Sequence, residues 1–112
     1  MYDKKRSYTL LIIDDEKYAV EGVRRGIDWD FLGISEVYTS YSYNDAKNVL
    51  SKKSINICIC DMEMPGKSGL DLLEWINDNT SNTQTIILTA HPEFNYAHKA
   101  IELGSFSYLL KP

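Results

Sequence analysis

Five short apolar runs alternate with stretches of helical periodicity along the 112 residues, and this alternation constrains the fold more than any other feature. Thr9-Leu10-Leu11-Ile12-Ile13, Ile55-Asn56-Ile57-Cys58-Ile59-Cys60 and Thr85-Ile86-Ile87-Leu88-Thr89 are largely continuous apolar runs. Such runs suit parallel strands covered on both faces. Residues 36–42, rich in Val, Thr and Tyr, predict a less apolar strand at a sheet edge. Residues 106–110 predict a fifth strand. Between these runs, residues 18–27 predict a helix with Val20, Val23 and Ile27 on one stripe. A short helix capped by Asn44 runs to Leu50, with Asp45 in its first turn. Residues 70–77 predict a helix with Leu70, Leu73 and Ile76 at helical spacing. Pro92 opens a further helix, with Ala97, Ala100, Ile101 and Leu103 inward and Gly104 at its end. Gly33 closes the loop after the first helix, and Met64-Pro65-Gly66 with Gly69 marks another loop. Strands and helices in strict alternation demand right-handed crossovers and a parallel sheet with helices on both faces. The expectation is one α/β domain over residues 1–112.

Composition narrows the class. Apolar residues make up 44% and charged residues 25%, the balance of a globular domain rather than a disordered chain. No apolar run approaches the roughly 20 residues of a membrane helix. The charged start, Met1 to Arg6, passes directly into the first strand with no separate apolar segment, so no signal peptide is expected. A net charge of −4 disfavours nucleic-acid contacts by this segment. Cys58 and Cys60 alternate on one strand face and read as small core residues. No nearby Cys or His completes a zinc set, and no disulfide framework is indicated, which fits a reducing cytoplasm. Trp29 and Trp75 read as packing residues, His98 as a surface residue and His91 as a loop residue without chemistry of its own.

The residues that carry chemistry stand at the C-terminal ends of the apolar runs. The first strand ends in Asp14-Asp15, the third in Asp61, the fourth in Thr89 and the fifth in Lys111. Parallel strands bring their C-terminal ends to one sheet edge, where ligands of open α/β sheets bind. Three carboxylates gathered there need a counter-charge. Mg²⁺ fits an all-oxygen site that combines a few carboxylates with waters, and Lys111 adds a fixed positive charge. Such a site suits phosphoryl transfer, with one carboxylate as nucleophile and Thr89 as hydrogen-bond donor. Asp14 and Asp15 would alternatively only cap the first helix, which leaves Asp61, Thr89 and Lys111 unexplained.

Four motifs in order carry a resemblance to bacterial response regulator receiver domains. They are Ile13-Asp14-Asp15-Glu16, Asp61-Met62-Glu63-Met64-Pro65-Gly66 with Gly69, Thr89-Ala90, and Tyr108-Leu109-Leu110-Lys111-Pro112. The resemblance spans essentially the whole chain. It implies the flavodoxin-like fold with strand order 2-1-3-4-5. It implies Asp61 as phosphoacceptor, with Asp15, Asp61 and the backbone carbonyl of Glu63 binding Mg²⁺ directly and Asp14 through water. It makes Lys111 the partner of the phosphoryl group and Thr89 with Tyr108 the switch pair. His91 then occupies a position that tunes access to the phosphoryl group.

The resemblance further implies a sensor histidine kinase as phosphodonor, a cytoplasmic location, and a homodimer through the face of the fourth helix and fifth strand. A narrower likeness, through Glu21-Gly22, Gly26-Ile27-Asp28-Trp29 and Pro92 to Ala97, is to receivers that precede an AraC-type helix-turn-helix output domain. Residues 1–112 hold no such domain and stop where receivers continue into a fifth helix, so part of one sheet face is expected to be bare. Two competing functions remain. A haloacid-dehalogenase-like phosphotransferase needs Asp-x-Asp after the first strand and usually a larger chain. A receiver-like interaction module that is never phosphorylated would not need the complete acidic set. A nucleotide or flavin carrier is disfavoured because no glycine-rich loop succeeds the first strand.

Overall fold

The apolar runs pair into a single five-stranded parallel sheet. In this computed structural model residues 7–80, 82–89 and 107–110 are described, the last four through their backbone only. The strands are β1 (Tyr8–Ile13), β2 (Ile34–Ser40), β3 (Ile57–Asp61), β4 (Gln84–Thr89) and β5 (Ser107–Leu110). Their order is β2-β1-β3-β4-β5, the flavodoxin-like arrangement that the resemblance to receiver domains implies. The less apolar β2 lies at the edge, and the continuous apolar runs of β1, β3 and β4 lie inside.

Among the described residues three helices accompany the strands: α1 (Lys17–Gly26), α2 (Tyr43–Lys52) and α3 (Gly69–Asn79). The apolar residues divide into two layers. Leu11, Ile13, Cys58, Cys60 and Ile87 pack with Ala46 and Leu50 of α2 and with Leu72, Leu73 and Ile76 of α3. Leu10 and Ile12 face the other way, against Val20 of α1 and Ile34. Alternate residues of one strand thus feed opposite layers. Trp29 and Trp75 are packing residues, one against each layer.

Several boundaries differ from the sequence-based expectation. The second strand starts at Ile34 and ends at Ser40, because Ser42 is needed as the cap of α2. The Ser42 hydroxyl accepts from the Asp45 backbone N–H at 3.1 Å, so Ser42 rather than Asn44 caps the helix. Ile27 leaves the α1 stripe. The helix stops at Gly26, Ile27 is extended at φ −127°, and the side chain is 42% exposed. On α3 the inward face is Leu72, Leu73 and Ile76, with Leu70 only partly buried. Ile55 and Asn56 precede β3 instead of belonging to it. Asn56 exchanges backbone and side-chain hydrogen bonds with Thr9 and accepts from Gln84, tying β1, β3 and β4 together at their N-terminal ends. The expected helix after Pro92, together with Gly104, His91 and His98, lies outside the described residues. Among the described residues no helix is long and apolar enough to cross a membrane.

Candidate functional site

The sheet register decides which residues meet at its C-terminal edge. Ile13 aligns with Cys60, and Asp61 aligns with Leu88, so Asp14 and Asp61 emerge from adjacent strands at the same height. Two hydrogen bonds help to hold Asp14. Its backbone N–H donates to the Ser40 carbonyl at 3.2 Å, and its Oδ1 accepts from the Glu16 N–H at 3.1 Å. Asp14 thereby shapes the turn into α1, but the N-cap position belongs to Glu16, whose side chain makes no capping bond. Capping alone therefore does not account for the acidic pair.

Asp14, Asp15 and Asp61 each offer a carboxylate oxygen within 4.8 Å of the others. Asp14 and Asp61 are buried, at 7% and 3% exposure, while Asp15 is exposed. Burial in a low dielectric strengthens repulsion among like charges. The donor set is entirely oxygen and carries up to three negative charges, which fits a hard divalent cation such as Mg²⁺ and not a thiolate- or imidazole-seeking metal.

The loop after Asp61 is clamped by backbone contacts. The Met62 N–H donates to the Leu88 carbonyl at 2.7 Å, and the Met62 carbonyl accepts from the Gly69 N–H at 2.9 Å. Position 69 must be glycine on steric grounds: a Cβ there would lie 2.5 Å from the Asp61 carbonyl oxygen. Gly66 turns the loop with φ +81°, a conformation that side chains disfavour. Ser68 then caps α3 through a reciprocal pair, its hydroxyl accepting from the Asp71 N–H and the Asp71 carboxylate accepting from the Ser68 N–H.

Thr89 ends β4, fully buried, and its hydroxyl donates to Glu63 Oε1. The Glu63 side chain is a participant that sequence reasoning missed, having considered only its backbone carbonyl. Its place two residues beyond Asp61 is the signal that could have found it. The β5 backbone aligns Leu110 with Thr89 and Tyr108 with Ile87. Lys111 and the Tyr108 side chain lie outside the described residues. The two cysteines are buried in the layer beneath the site. Burial pushes the Cys58 thiol up to about 12, and burial with the nearby Cys58, Asp61 and Asp14 pushes Cys60 well above its ordinary range.

A family model described as the response regulator receiver domain matches residues 10–112. The chain is 34% identical to the transcriptional regulatory protein YesN of Bacillus subtilis, over 94% of this chain and 28% of YesN. It is 31% identical to the transcriptional regulatory protein HptR of Staphylococcus aureus, over 94% of this chain and 41% of HptR. It therefore spans less than half the length of these relatives. The solved receiver domain of AraT, a response regulator of Geobacillus stearothermophilus, superposes with TM-score 0.84 at 32% identity, over 94% of this chain and 81% of that one. A response regulator receiver domain protein from Clostridium thermocellum superposes with TM-score 0.83 at 34% identity, over 94% and 82%.

Proposed function

The chain belongs to the response regulator receiver domain family of two-component signalling, and we propose that it accepts a phosphoryl group on Asp61 and relays that event to an output domain. The observation that supports this reading is the clustering of Asp14, Asp15 and Asp61 within 4.8 Å at the sheet edge where Thr89 also ends its strand. A carboxylate oxygen of Asp61 attacks the phosphorus of a phosphohistidine on a sensor histidine kinase. The new P–O bond forms as the P–N bond breaks, and the departing imidazole takes up a proton. Asp61 is buried and its loop is clamped at Met62, which holds the nucleophile in one position.

Asp15, Asp61 and the Glu63 carbonyl would hold Mg²⁺ directly, with Asp14 acting through water. The bound ion would neutralise charge on the phosphoryl oxygens. Lys111, one residue beyond β5, would supply a further positive charge. Thr89 donates its hydroxyl to the phosphoryl group, and Tyr108 on the neighbouring strand completes the switch.

The names of YesN and HptR describe transcriptional regulation. With the sequence likeness to receivers of AraC-type regulators, they support a DNA-binding output domain; a cytoplasmic location and a homodimer through the face that includes β5 are proposed from the likeness to receiver domains alone. The test is beryllofluoride, a phosphoryl mimic, added with Mg²⁺ to this chain and to Asp61→Asn. The reading predicts Mg²⁺-dependent binding to the first alone. Equal behaviour of the two proteins would favour an interaction module that is never phosphorylated, and turnover of a small phosphate ester would favour a phosphotransferase.

A further inference from the structure

We infer that the Glu63 side chain is a positioning residue that occupies the Thr89 hydroxyl in the resting state and must release it before that hydroxyl can serve a phosphoryl group. The inference rests on the phosphoacceptor reading of Asp61. Thr89 has a single hydroxyl proton, and that proton is donated to Glu63 Oε1. Thr89 is fully buried, so its hydroxyl loses free energy whenever the proton has no acceptor. A phosphoryl group on Asp61 brings new anionic acceptor oxygens to the same strand edge. Two acceptors then compete for one donor proton.

The backbone permits this competition without rebuilding the loop. Asp61 and Glu63 are separated only by Met62, whose N–H and carbonyl are both held, by Leu88 and Gly69. The exchange therefore needs rotation of the Glu63 side chain and not displacement of the phosphoacceptor. Glu63 is half-buried, so its released carboxylate can be hydrated, whereas the buried Thr89 hydroxyl must find a protein or phosphoryl partner. The resting hydrogen bond thus opposes activation by the free energy needed to break it. This role of the side chain is separate from that of the Glu63 backbone carbonyl.

The experiment is a titration with beryllofluoride in millimolar Mg²⁺, read by ¹⁹F NMR of the bound species. It compares wild type, Asp61→Asn, Glu63→Ala, Glu63→Gln, Thr89→Ala and the Glu63→Ala/Thr89→Ala double variant, each checked for cooperative melting. Glu63→Ala is expected to bind about tenfold more tightly than wild type, the equivalent of one charge-assisted hydrogen bond no longer opposing the change. Glu63→Gln keeps an acceptor oxygen and is expected to lie nearer to wild type than to Glu63→Ala. In the Thr89→Ala background the gain from Glu63→Ala is expected to vanish, because the two residues act through one bond. Unchanged or weaker binding by Glu63→Ala overturns the inference. So does a gain that persists without Thr89, or a Gln variant that matches Ala, since either outcome points to simple charge repulsion. If wild type and Asp61→Asn behave alike, the phosphoacceptor reading fails, and this inference fails with it. If they differ but the Glu63 effects are absent, only this inference fails.

Discussion

Replacing Asp61 by Asn deletes one of three mutually repelling charges while keeping the shape of the side chain. The carboxylate oxygens involved lie within 4.8 Å of one another. At that separation two unit charges repel by about 0.9 kcal/mol in water and about 3.5 kcal/mol at an effective dielectric constant of about 20. The Asp14–Asp61 pair is buried and sits nearer the larger figure, whereas exposed Asp15 is screened toward the smaller one. Lost attractive contacts of the Asp61 carboxylate offset part of the relief, so the expected net gain without metal is about 1–3 kcal/mol. For a domain of this size each kcal/mol moves Tm by about 4 °C. Thermal denaturation monitored by circular dichroism, in EDTA and then in millimolar Mg²⁺, measures the effect. In EDTA the Asn variant should melt higher. In Mg²⁺ the gap should narrow, because ion binding stabilises folded wild type more than folded variant. An Asn variant no more stable than wild type in EDTA, with the same Mg²⁺ response, would refute the repulsion argument.

Three other perturbations test the scaffold beneath the site. The Cys58 thiol is raised from 9.0 to about 12 by burial, and Cys60 is raised as well, so both favour the neutral folded form. Their contribution is intact below the unfolded-state value and is lost as pH rises above about 9, by about 1.4 kcal/mol per pH unit for each thiol. Urea midpoints should therefore fall between pH of about 9 and about 11 and fall less in Cys58→Ala, and a midpoint equally steep in that variant would count against it. Gly69→Ala forces a Cβ to within 2.5 Å of the Asp61 carbonyl, and a loss of about 1–3 kcal/mol in urea unfolding is expected. Ser68→Ala removes the hydroxyl that caps α3 and should cost about 1 kcal/mol, measured the same way.

The strand order came only with the likeness to receiver domains, whereas the parallel sheet and the meeting of Asp14, Asp15 and Asp61 at its edge were legible because apolar runs and the acidic residues that end them are both sequential features. Parallel pairing then converts chain position into spatial proximity. Element ends were less legible, because they turn on single hydrogen bonds. Ser42 and Asn44 are both good caps by type, and only the strand end at Ser40 makes Ser42 the one that reaches the Asp45 N–H. Ile27 fits the α1 stripe by spacing, yet the helix ends one residue before it. The Glu63 contact to Thr89 was hidden for a different reason. It joins residues 26 positions apart, so the nearness of Glu63 to Asp61 marks it as a site residue but does not name Thr89 as its donor.

The central claim is that Asp61 carries the phosphoryl group. Incubating this chain with acetyl phosphate and Mg²⁺, reducing the product with borohydride and mapping it by peptide mass spectrometry addresses that claim directly. Hydride reduction of an aspartyl phosphate leaves homoserine at the modified position. Homoserine at position 61, dependent on Mg²⁺ and on acetyl phosphate, is the predicted result. Homoserine at Asp14 or Asp15 instead, or at no position, would contradict it.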